Sequence, residues 1–251
     1  MNNGICTLSN IPVRKEDSSK SEMVTMLLFG ETYSISDTIG DWLKIRVHDD
    51  NYEGWINNKQ HTSFTDNKES ITTINQFPCV ICQKNNEQIN LLPGSQIINL
   101  NGNIFAIGED VYKLPSHSTS SNLSLDLIGD LALKFLNAPY LWGGKSMFGI
   151  DCSGFTQVVF KMLGIQLKRD AYLQAEMGSD VAFRESSQLG DLAFFDNEEG
   201  VITHVGIMLE PNKIIHASGK VRIDEIDNFG IINSELKEYS HKLRIIKRIE
   251  G

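Results

Sequence analysis

Three patterns of apolar and polar positions follow one another along the chain. From about Pro12 to Gln60 short apolar runs are cut by polar breaks. Met23 to Phe29 ends at Gly30-Glu31, Leu43, Ile45 and Val47 alternate with Lys44 and Arg46, and Gly54-Trp55-Ile56 follows a polar turn. Alternation with a period of two marks half-buried strands. About five short strands in this space predict a small β-barrel over residues 1–61. Residues 62–118 repeat the texture less regularly. Strand candidates are Phe77 to Ile81, Gln96 to Leu100, Asn103 to Ile107 and Val111 to Leu114, with Pro93-Gly94 and Asn101-Gly102 as turns. An Asn-Gly pair between two β-like runs predicts a hairpin. This stretch is read as a second, divergent barrel, and Pro115 to Asn122 (PSHSTSSN) as a linker.

The third pattern, over residues 119–251, opens with helical spacing. Ser124 is placed to cap a helix carrying Leu125, Ile128, Leu131, Ala132 and Phe135. A second helix follows Cys152, with Phe155, Val158, Val159, Met162 and Leu163 on one face and Gly164 as its stop. After Gln188 the period returns to two, with strands expected at Asp191 to Phe195, Val201 to Leu209, Lys213 to Ala217, Val221 to Ile226 and Leu243 to Ile249. Helices followed by a run of strands predict an α+β domain.

Composition narrows the function classes. Of 251 residues 41% are hydrophobic and 22% charged, enough for packed cores, and the net charge of -9 argues against a nucleic-acid binder. No run approaches the ~18 apolar residues of a membrane span, and the first twenty residues hold no signal-like apolar segment. Gly4-Ile5-Cys6 has a lipoprotein-like ending, but no hydrophobic segment precedes it. The expected location is cytoplasmic. Cys79 and Cys82 form a CxxC without a second ligand pair at zinc-ribbon spacing, so the pair is read as structural.

Cys152 differs from the other cysteines. Asp151 is a natural N-cap, which sets the thiol in the first helical turn, where backbone N–H groups favour a thiolate. The Asp151 charge opposes that effect, and a carboxylate there makes better sense as a contact for something cationic. Four of the six histidines, His48, His61, His117 and His241, lie in polar settings and are read as surface. His204 and His216 sit inside apolar β runs, ITHVGIML and KIIHASG. A triad reading makes Cys152 the nucleophile, His204 its base and His216 the residue that orients His204. It imposes a register condition, because a plain two-residue loop near Pro211 pairs Ile207 with His216 and turns the two imidazoles to opposite faces. A bulge or an odd-length loop restores one face. Neither HExxH nor GxSxG is present.

These residues resemble the NlpC-type cysteine peptidases of bacteria. The matching elements are YLWGG (Tyr140 to Gly144), DCSGF (Asp151 to Phe155), RDA-x-x-Q (Arg169 to Gln174), GDLAFF (Gly190 to Phe195), HVGI (His204 to Ile207) and HASG (His216 to Gly219). The resemblance implies a papain-like α+β catalytic domain. SEMVTMLLFGE, GDWLKIR and DDNYEGW are similar to the bacterial SH3-like domain of one subgroup, the γ-D-glutamyl-L-diamino-acid endopeptidases that recycle murein peptides. That likeness implies a papain-like domain preceded by two small SH3-like barrels, the first closing the cleft so that a free L-Ala amine is required.

The implied reaction cleaves L-Ala-γ-D-Glu-diamino acid after D-Glu, with no cofactor or metal, no nucleic acid and no membrane partner. The Cys152 N–H and the Tyr140 hydroxyl are the implied oxyanion donors. The implied substrate-binding residues are Glu31, Tyr52, Trp142, Asp151, Ser153 and Asp170, with Asp151, Glu31 and Tyr52 on the amine. Some subgroup members carry Ser where this chain has Ala171, so one substrate hydrogen bond is lost or comes from Ser153. The alternatives are an acyltransferase or broader amidase using the same thiol, and a cell-wall-binding protein without catalysis.

Overall fold

The alternating runs of the first third form strands β1 (Asn3–Ile5), β2 (Asn10–Arg14), β3 (Met23–Leu28), β4 (Thr32–Ile39), β5 (Trp42–Val47), β6 (Glu53–Asn57) and β7 (Thr62–Ser63). They are seen in a computed structural model that describes residues 2–65, 70–77, 79–83 as backbone, 87–115 and 123–250. All pairings are antiparallel, in the order β3-β2-β6-β5-β4-β1-β7. The alternation has its expected cause. Leu43, Ile45 and Val47 point into a core with Ile11, Val13, Leu27, Tyr33 and Ile56, and Arg46 points out. His61, expected at the surface, is half-buried with its Nδ1 3.0 Å from the Tyr33 hydroxyl.

Six more strands follow, β8 (Ile71–Thr73), β9 (Cys79–Gln83), β10 (Gln88–Leu91), β11 (Gln96–Ile98), β12 (Ile104–Ile107) and β13 (Asp110–Lys113). β10-β9-β13-β12 make one sheet, and β11 pairs with β8. The hairpin expected at Asn101-Gly102 is thus only a turn, closed by a single bridge between Asn101 and Ile104. The hairpin forms one turn later, where Ile107 pairs with Asp110 across Gly108-Glu109. The reason is that β11 spends its backbone donors and acceptors on β8, leaving β12 to find β13. Ile5 and Phe29 share one core with Ile74, Leu91, Ile97, Phe105 and Tyr112. Gly30 allows this approach: its φ is +81°, and a Cβ there would lie 1.8 Å from the Gln96 carbonyl oxygen.

The chain divides into two compact units, Met1–Asn122 with Trp142–Lys145, and Leu123–Leu141 with Ser146–Gly251. The side chains of the Cys79–Cys82 pair, His117 and the linker from 116 to 122 lie outside the described residues.

In the second unit Ser124 caps a short 3-10 turn, Leu125–Leu127, that runs into α1 (Ile128–Leu133). Two short strands, β14 (Lys145–Ser146), where the chain re-enters this unit, and β15 (Gly149–Ile150), precede α2 (Cys152–Met162), α3 (Ala171–Gln174) and β16 (Ser179–Asp180). Strands β17 (Leu192–Asp196), β18 (Ile202–Glu210), β19 (Lys213–Ser218), β20 (Lys220–Ile226), β21 (Gly230–Ile232) and β22 (Tyr239–Arg248) are antiparallel neighbours in that order, and β22 pairs back onto β17 to close a ring. The ring of strands encloses Ala193, Phe195, Met208, Ile214, Ile226, Ile231 and Ile246. α2 packs against β18 and β19 and is buried along its whole length, polar face included. No described helix is long and apolar enough to cross a membrane.

Candidate active site

Asp151 caps α2 as expected, its Oδ1 accepting the Gly154 N–H at 2.6 Å. Cys152 is therefore the first residue of the helix. Its sulfur donates to the carbonyl oxygen of Thr203 at 4.0 Å and meets the Val205 backbone, the residues on either side of His204. Burial pushes the thiol up to about 11, and the Asp151 charge adds to the rise. The Val205 and Ser153 backbone and the Arg169 charge oppose it. Contrary to the helix-terminus expectation, burial outweighs the helix end, and the resting thiol is protonated.

A cation of the chain itself faces Asp151. Arg169 grips the carboxylate with two prongs, 3.1 Å to Oδ1 and 2.6 Å to Oδ2, and donates to Ser153 Oγ at 2.9 Å. All three side chains are buried. Gln174 is also buried and ties Thr156 Oγ1, Ser153 O and Lys168 O together. The Arg169-to-Gln174 motif thus fastens the first turn of α2, a role its sequence did not reveal.

The two histidines meet. A two-residue turn at Pro211-Asn212 pairs Glu210 with Lys213, and that register alone would set Ile207 opposite His216. A bulge between Met208 and Glu210 shifts it, so Gly206 opposes His216 and Met208 opposes Ile214. His204 and His216 then share the inner face, with His204 Nε2 2.8 Å from His216 Nδ1. Gly206 makes room: a Cβ there would stand 2.8 Å from the His216 Cβ and 2.7 Å from Ile214 Cδ1.

A third partner was not foreseen. His216 Nε2 lies 3.0 Å from Oδ2 of Asp224, which is buried and held by Arg222 and the Ser234 N–H. Burial works against the Asp224 anion, but hydrogen bonds from His216, Ser234 and Arg222 bring its pKa well below the usual carboxylate range. An ionised carboxylate only accepts, so His216 donates from Nε2 and accepts at Nδ1. His204 must then donate from Nε2, which leaves its Nδ1 lone pair as the basic site. Burial depresses both histidines, His204 strongly, and both are neutral. The signal for Asp224 was an acid at an inward position of KVRIDEI, two residues from the partner of His216.

His241, expected at the surface, is half-buried, and its ring stacks on His204 with centroids 4.0 Å apart and planes 21° from parallel. Nitrogens of His204, His216 and His241 lie within 4.8 Å of one another. Zinc needs lone pairs converging at about 2.0–2.1 Å. The stacked rings aim theirs in nearly parallel planes, and the His204–His216 hydrogen bond uses two of the atoms.

The remaining expected residues are scattered in role. Tyr140 is half-buried, with its hydroxyl pKa raised by burial and then by the nearby Cys152 and Asp151. Asp170 precedes α3 and accepts the Gln174 N–H on its backbone oxygen at 2.9 Å. Tyr52 is half-buried, its N–H donating to Asp50 at 2.9 Å. Trp142 is 58% exposed, with its indole N–H on Glu22 at 2.7 Å. Glu31 is 1% exposed, and its carboxylate accepts from Lys145 Nζ at 3.0 and 3.3 Å and from the Leu28 N–H at 2.9 Å.

A thiol at a helix N-terminus, set beside an oriented histidine pair on an antiparallel sheet, defines a cysteine peptidase. The chain belongs to the NlpC/P60 family. The NlpC/P60 family model matches residues 137–238, and that of the bacterial dipeptidyl-peptidase Sh3 domain matches residues 13–60. The chain is 30% identical over 213 residues to the γ-D-glutamyl-L-lysine dipeptidyl-peptidase of Bacillus subtilis (strain 168), an alignment covering 77% of this chain and 71% of that one. To the protein of the same name from Bacillus cereus it is 29% identical over 242 residues, covering 83% and 71%. The crystal structure of an NlpC/P60 family protein from Bacillus cereus ATCC 10987 shares the fold, with a TM-score of 0.81 at 19% identity over 98% of this chain and 99% of that one.

Proposed function

We propose that this peptidase hydrolyses the γ-D-glutamyl–diamino acid bond of murein peptides with a free N-terminal L-Ala, releasing L-Ala-D-Glu during cell-wall peptide recycling. The observation that carries this reading is the hydrogen-bonded line His204–His216–Asp224 beside the Cys152 thiol. The two relatives named for the γ-D-glutamyl-L-lysine bond support its specificity.

Both Cys152 and His204 start neutral, so there is no resting ion pair. The thiol proton passes to His204 Nδ1 as sulfur attacks the γ-carbonyl carbon. Positive charge arriving on His204 is met through His216 by the Asp224 carboxylate. The oxyanion is received by the Cys152 N–H and the Tyr140 hydroxyl, which stays protonated and able to donate. His204 then protonates the leaving amine, and water cleaves the thioester. In this reading the substrate ammonium shares the Asp151 carboxylate with Arg169, and Glu31, Ser153, Tyr52, Trp142 and Asp170 are further substrate contacts. Residues 62–118 are read as a second, divergent SH3-like module with a scaffold role, supported by the four-stranded sheet β10-β9-β13-β12.

Mass spectrometry of the products from L-Ala-γ-D-Glu-L-Lys and its diaminopimelate counterpart tests the bond cut. N-acetylated substrate tests the amine requirement. Release of L-Ala-D-Glu from free-amine peptides alone is expected. Equal turnover of acetylated peptide, or full activity of Cys152→Ala, overturns the reading.

A further inference from the structure

A single hydrogen bond at Nε2 does not hold an imidazole in one plane, because the ring can still turn about its χ2 torsion. The base of this site has a second restraint. The His241 ring, from β22, lies over the His204 ring at 4.0 Å and 21°. It is itself anchored, with Nδ1 2.9 Å from Ser240 Oγ. Phe195, directly opposite His204 in the β17–β18 ladder, meets both rings, with centroids 5.7 Å from His204 and 6.0 Å from His241. The three aromatic groups come from three neighbouring strands and share one end of the strand ring.

We propose that His241 is a positioning residue for the catalytic base, clamping the His204 imidazole in the plane that directs its Nδ1 lone pair and offering an aromatic face to the imidazolium formed when the thiol proton arrives. The proposal rests on the cysteine-peptidase reading of Cys152 and His204. A flat ring against one face blocks the rotation that the His216 bond leaves open. A neutral ring face also attracts a cation lying over it.

His241 is suited to that second task because it stays neutral: burial first, then neighbouring His216, push its pKa down to about 4, while Asp224 pulls the other way. The other ionisable groups around the stack are accounted for. Cys152 of α2 is protonated, and Asp224 of β20 is occupied by His216 and Arg222. Asp196 of β17 faces Lys242 at 3.8 Å and Arg244 at 3.7 Å, both from β22.

The test compares wild type, His241→Phe, His241→Leu and Cys152→Ala on the free tripeptide, with circular dichroism to fix the folded fraction of each. His241→Phe retains a flat ring and is expected to keep kcat within about threefold. His241→Leu removes it and is expected to lower kcat by about 10- to 100-fold with KM within about twofold, the signature of a misaimed base. In the Cys152→Ala background, the His204 ring resonances should broaden with His241→Leu and stay sharp with His241→Phe. Wild-type kcat in folded His241→Leu, with Cys152→Ala inactive, refutes the stacking role and leaves the peptidase reading intact. Equal loss in folded His241→Phe and His241→Leu refutes it too. If His241→Leu does not fold, the His241→Phe result and its His204 spectrum decide. Activity in Cys152→Ala overturns the underlying reading instead.

Discussion

Arg169 and Asp151 form a buried two-pronged ion pair, 2.6 and 3.1 Å, next to Cys152. Removing one partner of such a pair leaves an uncompensated buried charge. Arg169→Met is expected to destabilise the protein by about 3–5 kcal/mol, measured by urea unfolding. It also removes a charge that lowers the thiol pKa. The rate of Cys152 alkylation by iodoacetamide, rising about tenfold per pH unit below the wild-type value of about 11, is expected to fall further in the variant.

Asp224 terminates the line of hydrogen bonds behind His204. Asp224→Asn keeps the shape and removes the charge, so the imidazolium formed in the first step loses its counter-charge. A fall in kcat of about 10- to 100-fold with little change in KM is expected. Steady-state kinetics check this, and unchanged kcat would mean that His216 is oriented without the carboxylate.

Glu31 and Lys145 form a buried ion pair that is expected to matter for stability. Glu31→Gln leaves the buried Lys145 ammonium without its counter-charge and should cost about 3–5 kcal/mol. KM for the free-amine peptide is measured below the variant's melting temperature. A large rise in KM supports the amine-binding role of Glu31, and an unchanged KM confines the pair to stability.

Gly206 opposes His216 because no side chain can stand there. Gly206→Ala drives a methyl group against the His216 Cβ and Ile214, which are 2.8 and 2.7 Å from its position. Overpacking of this kind costs about 1–3 kcal/mol. Displacement of His216 should lower kcat as well, and a crystal structure of the variant would show the His204–His216 bond lengthened.

The histidine cluster sets a direction for acid stability. His204, His216 and His241 are all depressed below the ordinary value near 6.5, His241 to about 4. Between pH 6.5 and about 4 the unfolded chain binds more protons than the folded one, so stability is full above that window and is lost as pH falls through it. Each histidine contributes at most about 1.4 kcal/mol per pH unit. Asp224 enters only below the ordinary carboxylate range. Urea midpoints at pH 7, 5.5 and 4.5 check the slope, which His241→Phe should reduce.

Much of the catalytic unit was legible in the sequence because its signals are local. The spacing from Phe155 to Met162 and the Asp151 cap define α2 and put Cys152 at its start, whatever lies around it. The period of two in β18 and β19 reduced the triad to a question of parity, and the bulge at Leu209 answered it. The stretch from β8 to β13 was less legible, since β11 and β12, adjacent in sequence, belong to different sheets. Asp224 and His241 lay beyond local reading: they stand 8 and 37 residues from the histidines they touch, on strands whose register is set by the closure of β21 onto β22.

The chain's own order of residues therefore determined which elements exist, where the thiol sits and which histidines lie in apolar strands, because helix capping and side-chain periodicity act over a few neighbours. Tertiary structure decided which charges are free and which are spent. Arg169 takes Asp151, Lys145 takes Glu31, and Asp224 and His241 close around the histidine pair. Those pairings arise only when distant segments pack, since burial makes an unpaired charge too costly to leave and selects its partner from whatever the fold brings within reach.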